Sequence, residues 1–158
     1  VYECMIDELK RFEGKKLLQL GSHTSADYSS GDIGYIEVID EKEIPFEGVE
    51  VKYGKPITAQ MVIDAFEKFK KYPTNRYYLL STAISSDDEI KKITKIIEMI
   101  SEEHGCQVIV NGIFDSLKYY LRLLENADKF LDKYADNLSN DLVIKATQKR
   151  LWNEIITK

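Results

Sequence analysis

A β-hairpin predicted over residues 31–54 is the feature that most constrains how this chain can fold. Two runs rich in β-branched and aromatic residues, 33–39 and 49–53, flank the charged segment 40–43 and Pro45. Such runs favour strands, and the charged segment with proline favours the turn between them. Antiparallel pairing then folds the second run back along the first, because opposed residues in a hairpin have a constant index sum.

The hairpin brings three charged residues toward one end. With its turn near residues 41–44, Asp32 lies across from the segment that contains Glu50 and Lys52. Glu50 and Lys52 are two positions apart on one strand and therefore point to the same face. In a regular strand Glu37 alternates to the face opposite Asp32. If the register differs, Asp27 or Glu37 replaces Asp32 as the acidic residue that joins Glu50 and Lys52 at this end of the hairpin.

Length and composition indicate one domain spanning residues 1–158, and the order of its predicted helices and strands makes it an α/β domain. The 158 residues are 44% hydrophobic and 31% charged, and the net charge is −5, which argues against a protein that coats nucleic acid by bulk charge. Cys4 and Cys106 match no metal-binding spacing and suit reduced thiols in the cytoplasm. We expect no membrane segment, because no apolar run is long enough. Because the chain begins at Val1, we expect a fragment or one domain of a longer protein.

The remaining pattern predicts helices and strands in alternation. Helices are predicted over residues 1–12, 58–72 (capped by Thr58), 85 or 86–104, 114–137 and 141–156, and strands over 15–20, 76–82 and 106–110, with a turn at 111–112. The helical crossovers after the hairpin favour parallel neighbours, so the sheet should be mixed, with flanking helices. The last two helices carry surplus apolar residues, which predicts that they cover the sheet or pair with another subunit.

These residues together resemble the PD-(D/E)XK nuclease superfamily, most closely its restriction-endonuclease-like members. The matching features are Asp32 at the start of a strand, Glu50-x-Lys52 at the end of the next, and the αβββαβ order of residues 1–82. The resemblance implies a restriction-endonuclease-like core with a C-terminal helical extension. It also implies Mg²⁺-dependent cleavage of double-stranded DNA, with Mn²⁺ as a substitute. Asp32 and Glu50 would then hold the metal, and Lys52 would stand near the attacking water.

The resemblance extends to residues around this centre. Gln60 becomes a polar group that supports the metal ligands, and Glu3 or Glu8 on the first helix an additional carboxylate. Three basic side chains are candidates for contacts with DNA, although a solvated position is the simpler interpretation of each: His23, Lys55 and Lys68. The partners implied are DNA and either a second copy of the chain or a separate recognition domain or subunit.

Elementary chemistry is consistent with this hypothesis and leaves alternatives open. Mg²⁺ prefers oxygen ligands and keeps several waters, so two carboxylates plus substrate phosphate oxygens suit it. The alternatives are a solvent-facing charged hairpin in an unrelated α/β fold, an inactive nuclease-fold module that binds DNA or protein, and a structure-specific repair nuclease. Short motifs of common residues occur by chance, so structural context has to decide among these.

Overall fold

A computed structural model of the chain describes residues 1–18, 34, 36–142 and 144–156. These residues form an α/β domain built on a five-stranded mixed sheet, as the sequence predicts. The elements are α1 (Tyr2–Glu8), a 3₁₀ turn (Lys10–Phe12), β1 (Lys15–Leu18), β2 (Ile36–Asp40), β3 (Pro45–Lys52), α2 (Ala59–Phe69), β4 (Arg76–Ser81), α3 (Asp87–His104), β5 (Gln107–Gly112), α4 (Ile113–Leu121), α5 (Ala127–Asn140) and α6 (Ala146–Ile156).

The strands lie in sequence order across the sheet, β1-β2-β3-β4-β5. The first three are antiparallel neighbours, and Glu37 of β2 stands opposite Gly48 of β3. β3, β4 and β5 are parallel, because α2 and α3 carry the chain back to the starting edge each time. The predicted hairpin and parallel crossovers are therefore confirmed for β2 through β5.

Each side of the sheet has its own core. On the side covered by α2 and α3, which we call the α2 side, Tyr77 and Leu79 of β4 pack against Phe69 and Ile100. On the opposite side, the α1 side, alternate residues of the same strands pack with residues of α1 and with Tyr120 of α4. Both faces of β4 are thus covered, which explains its nearly continuous apolar sequence.

Local capping signals fix the ends of two helices. The Thr58 hydroxyl accepts a hydrogen bond from the Met61 amide at the start of α2, as predicted. Of the two serines proposed as caps for α3, Ser86 caps the helix by accepting from the Glu89 amide. The Ser85 hydroxyl instead donates to the carbonyl of Ile57.

Several predicted boundaries are wrong. The single helix predicted over 114–137 is two helices, because the Asn126 side chain accepts from the Asp128 amide and starts α5 anew, while Leu124 is buried at the break. No separate turn forms at 111–112, since β5 continues to Gly112 and α4 follows at once. The first helix gives way to a 3₁₀ turn after Glu8, and the last helix begins at Ala146 rather than at residue 141.

The last helix does not cover the sheet. None of the eleven residues of α6 is buried, and its ring contact with α5 joins Trp152 to Tyr134, with ring centroids 4.7 Å apart. Leu151, Ile155 and Ile156 each expose more than half of their surface. The last helix, α6, therefore exposes an apolar face to solvent. Among the described residues, no helix has the length and apolar character needed to span a bilayer.

Candidate functional site

Glu50 and Lys52 lie together at the carboxyl end of β3, on the α2 side of the sheet. The alternation of the strand places them there. Val49, just before Glu50, and Val51, between the two, pack into the core on the α1 side, so Glu50 and Lys52 face the other side. The Lys52 ammonium is 2.5 Å from Oε1 of Glu50. The shared face predicted for these two residues is thus present in the fold.

Glu50 is a buried carboxylate whose two oxygens both have partners. Its residue exposure is only 5%. The Lys68 ammonium from α2 lies 3.2 Å from Oε2, and the Tyr77 hydroxyl donates to the same oxygen at 3.2 Å. Burial alone raises the pKa of Glu50, but the hydrogen bond from Lys52 and the charge of Lys68 outweigh it and hold this pKa below its ordinary value. Glu50 is therefore ionised at neutral pH.

A second buried carboxylate, Glu37, lies on the same side of the neighbouring strand. Its neighbours Ile36 and Val38 pack toward the α1 side, so Glu37 points to the α2 side, where it is 3% exposed. Because Glu37 pairs with Gly48, it is the diagonal neighbour of Glu50, a relation that separates side chains by roughly 7–8 Å. Two carboxylates thus share one face of β2 and β3.

Gly34 fixes how the chain enters β2. A Cβ atom at this position would lie 3.0 Å from both the backbone nitrogen and the backbone oxygen of Val49, closer than side chains normally come. The Gly34 amide donates to Oε1 of Glu37 at 2.9 Å. Glycine therefore lets the chain pass this close to β3 without a shift of the Val49 backbone, immediately beside Glu50.

Three residues of the predicted site lie outside the described residues: Asp32, Asp27 and His23. The convergence of Asp32 with Glu50 therefore stays a prediction. The face of Asp32 does not follow from that of Glu37 by alternation, because β2 begins at Ile36 and Gly34 lies in a bend.

The other predicted residues have contacts of their own. Glu3 accepts a hydrogen bond from the Asn137 side chain, and Glu8 accepts from the Glu125 amide; both stand on α1, across the sheet from Glu50. The structure therefore does not bring either carboxylate to Glu50. Gln60 donates to Asp64 on the exposed surface of α2. Lys55 has an exposed side chain and a backbone carbonyl that accepts from Ser81.

Sequence reasoning missed two partners of Glu50. Lys68 and Tyr77 are 18 and 27 residues away from it along the chain, so no local pattern connects them. Lys68 has the spacing of an exposed helix face, yet its position next to Phe69 on α2 carries the ammonium to the edge of the core. The one available signal was the alternation of β4, which puts Tyr77 on the face of the sheet that α2 covers.

β3 also carries a buried carboxylate on the α1 side. Glu47 is 1% exposed, accepts a 2.5 Å hydrogen bond from the Tyr2 hydroxyl, and lies 3.3 Å from Arg11 through each of its oxygens. Burial, the largest influence, raises the pKa of Glu47. These contacts join α1 to the sheet, which is a structural role.

The two buried carboxylates on the α2 side, Glu37 and Glu50, suit a hard cation. Mg²⁺ prefers oxygen ligands of this kind. In the described part of the chain, no group of three or more His, Cys, Asp and Glu side chains is placed to hold a metal ion. Glu37 and Glu50 could therefore supply at most part of a coordination shell, with substrate oxygens and water as the remainder.

No protein-family model matches this chain, and no curated protein sequence matches it.

Proposed function

We propose that the chain is a Mg²⁺-dependent endonuclease domain that hydrolyses phosphodiester bonds of double-stranded DNA, of the kind found in restriction enzymes. The observation that carries this proposal is the Glu50–Lys52 pair, a buried ionised carboxylate and an ammonium 2.5 Å apart at the carboxyl end of β3. Ligands of open α/β sheets bind at the carboxyl ends of parallel strands, and β3 and β4 both end there.

The strand arrangement supports the same proposal. The elements from α1 to β4 follow the αβββαβ order, apart from the added 3₁₀ turn. Three antiparallel strands are followed by a fourth parallel to the third. This order is the one expected from the resemblance to PD-(D/E)XK nucleases, and it supports the proposal. The helices after β5 would then be an addition to this set of elements.

The acids of this face would hold the metal. Glu50 is the central ligand of the proposal, with Asp32 as its expected partner and Glu37 as the alternative first acid. Both described carboxylates are buried on one face, and their oxygens fit the preference of Mg²⁺. When bound, the ion would neutralise phosphate charge and lower the pKa of an attacking water.

Lys52 would act on the attacking water and on the charge that develops on the phosphate. Its side chain remains 27% exposed although its ammonium contacts Glu50, so substrate can reach it. An ammonium fixed by a carboxylate is already oriented and stabilises the charge of the transition state more than that of the ground state.

Cleavage of DNA by matched variants tests the proposal. We expect Lys52→Ala to lose Mg²⁺-dependent cleavage while retaining the fold and DNA binding. Glu50→Ala and Asp32→Ala should lose both metal affinity and cleavage. Glu37→Gln and Asp27→Asn decide which acid completes the site. Cleavage by Lys52→Ala at the wild-type rate would refute the assignment.

One observation favours a rival function, an inactive nuclease-fold module that binds DNA or protein. Both oxygens of Glu50 already have partners, with Lys52 on one and Lys68 and Tyr77 on the other. A wild-type protein that binds DNA but cuts none in Mg²⁺ or Mn²⁺ would establish this rival. A panel of linear, nicked, branched and single-stranded DNA separates a restriction enzyme from a structure-specific repair nuclease.

We further propose that a second copy of the chain covers the apolar face of α6. Arg150 precedes and Glu154 follows the exposed Leu151, so antiparallel pairing sets the basic half of one helix beside the acidic half of the other. Parallel pairing would oppose like charges. A two-fold dimer also places one active site on each DNA strand.

Light scattering measures the mass of the particle in solution. We expect a dimer for the wild type, a monomer for Ile155→Glu, and a dimer for the control Ile84→Glu, since Ile84 is equally apolar and 93% exposed on another surface. A monomeric wild type refutes the pairing and leaves a separate recognition domain or subunit as the proposed partner.

A further inference from the structure

Lys68 is the contact between α2 and the candidate site. The helix begins at its Thr58 cap and packs its apolar stripe on the sheet, which fixes the height at which Lys68 leaves the helix. From there its ammonium lies 3.2 Å from Oε2 of Glu50, and one quarter of its side chain remains exposed to solvent. The position is thus inside the cluster yet open to a substrate approaching from outside.

Two ammonium groups already contact Glu50. Lys52 lies 2.5 Å from Oε1 and Lys68 lies 3.2 Å from Oε2. A divalent cation that binds Glu50 must therefore compete with an ammonium for Oε2, and it also brings its two positive charges close to both lysines. Both effects weaken cation binding, because like charges a few ångströms apart repel strongly at a partly buried site.

We propose that Lys68 couples divalent-cation binding to DNA binding by exchanging the carboxylate of Glu50 for a DNA phosphate. This inference rests on the proposed function. A lysine is a flexible point charge and contacts either anion equally well. When DNA arrives, its phosphate offers Lys68 another anionic partner, and the position that Lys68 leaves on Oε2 of Glu50, beside the hydrogen bond from Tyr77, becomes available to the cation. Lys68 is thus a positioning residue that acts through Glu50.

The two halves of this exchange make a measurable linkage. If DNA raises the affinity for the cation, the cation must raise the affinity for DNA by the same factor. Substituting Lys68 by glutamine removes the competing charge, so the cation should bind more tightly before DNA is present. The same substitution removes the ammonium that the DNA phosphate would attract, so DNA should raise the affinity for the cation by a smaller factor.

Mn²⁺ titration followed by the electron paramagnetic resonance signal of the free ion tests this. The full chain is titrated alone and with a short random-sequence duplex whose phosphorothioate linkages keep the backbone charge and slow hydrolysis. We expect wild-type affinity for Mn²⁺ to rise when the duplex is added. Without DNA, Lys68→Gln should bind Mn²⁺ about tenfold more tightly than wild type, within the usual range for coupled sites. Its gain from DNA should fall by a similar factor.

Lys70→Gln is the matched control. It removes the same charge two residues further along the chain, at the carboxyl-terminal cap of α2, from an exposed pair with Glu67, and should behave as the wild type. Lys68→Met, which keeps the hydrocarbon stem, replaces Lys68→Gln if the glutamine variant does not fold. Equal Mn²⁺ affinity and equal gain from DNA in the Lys68 and Lys70 variants would overturn the inference while the metal site stands. A wild type that binds no Mn²⁺ even with DNA would instead overturn the metal site, and the proposed function with it.

Discussion

Tyr2→Phe should measure how much the buried contact between α1 and β3 stabilises the fold. The substitution removes one hydroxyl, which donates to the fully buried Glu47 at 2.5 Å. It leaves the ring contacts of residue 2 with Phe12 and Tyr120, at centroid distances of 6.2 and 5.9 Å, in place. The change therefore isolates a single hydrogen bond to a carboxylate.

The expected loss follows from that isolation. A hydrogen bond to a charged group contributes about 1.5–3 kcal/mol to the free energy of unfolding. Arg11 remains near both oxygens of Glu47, at 3.3 Å, so the carboxylate keeps its counter-charge and the larger cost of an unpaired buried ion is avoided. For a chain of this length the loss corresponds to a fall in melting temperature of about 3–12 °C.

The loss should also depend on pH. The hydrogen bond from Tyr2 opposes the rise of the Glu47 pKa that burial causes, so Tyr2→Phe raises this pKa further. A carboxyl group whose folded pKa is raised gives stability that is complete below its unfolded pKa and is lost as pH rises through the folded pKa. The deficit of Tyr2→Phe should therefore be larger at pH 7 than at pH 4.

Urea unfolding followed by circular dichroism at both pH values provides the measurement. Tyr119→Phe is the control, because Tyr119 lies on α4 next to Tyr120 but is 59% exposed, and its change should stay within about 0.5 kcal/mol. If Tyr2→Phe loses no more than this control, or loses the same at both pH values, the proposed role of the Glu47 contact is refuted.

Variants at three further positions test the local arguments. Gly34→Ala should destabilise the fold by about 1–3 kcal/mol in urea unfolding, since its Cβ would lie only 3.0 Å from two backbone atoms of Val49 and force them to shift. Thr58→Ala should cost about 1 kcal/mol through loss of the α2 cap, and Thr58→Ser should restore most of it. The difference in unfolding free energy between wild type and Glu50→Gln should become smaller as pH falls below 4.5. The pKa of Glu50 is lowered in the folded state, so its stabilisation is present above the unfolded pKa and is lost as pH falls through the folded pKa. A difference that stays constant with pH would contradict this.

The sequence predicted those parts of the fold that depend on near neighbours. The hairpin could be predicted because two runs of strand-forming residues flank one turn within 24 positions, from Gly31 to Gly54. Thr58 could be recognised as a cap because it directly precedes an apolar helical stripe. The break between α4 and α5 was missed because Leu124 is apolar at the position where a continuous helix would also need an apolar residue. Periodicity alone does not distinguish a helix from a break that buries the same side chain.

The candidate site divides in the same way. The common face of Glu50 and Lys52 follows from strand alternation, so the sequence was enough. The contact of Lys68 with Glu50 depends on how α2 lies across the sheet, a relation that packing determines. Glu47 was overlooked for a similar reason, since its partners Tyr2 and Arg11 are 45 and 36 residues away from it along the chain.

The two buried carboxylates of β3 explain why one strand can serve both stability and the chemistry that we propose. Glu47 lies toward the amino end on the α1 side, held by a tyrosine and an arginine whose planar groups give fixed geometry. Glu50 lies toward the carboxyl end on the α2 side, held by two lysines that are each about one quarter exposed. A lysine can move from a carboxylate to a phosphate without loss of geometry, so the contacts of Glu50 are the ones that a substrate can replace. On this proposal, the alternation of a single strand separates a contact that stabilises the fold from one that a substrate can exchange.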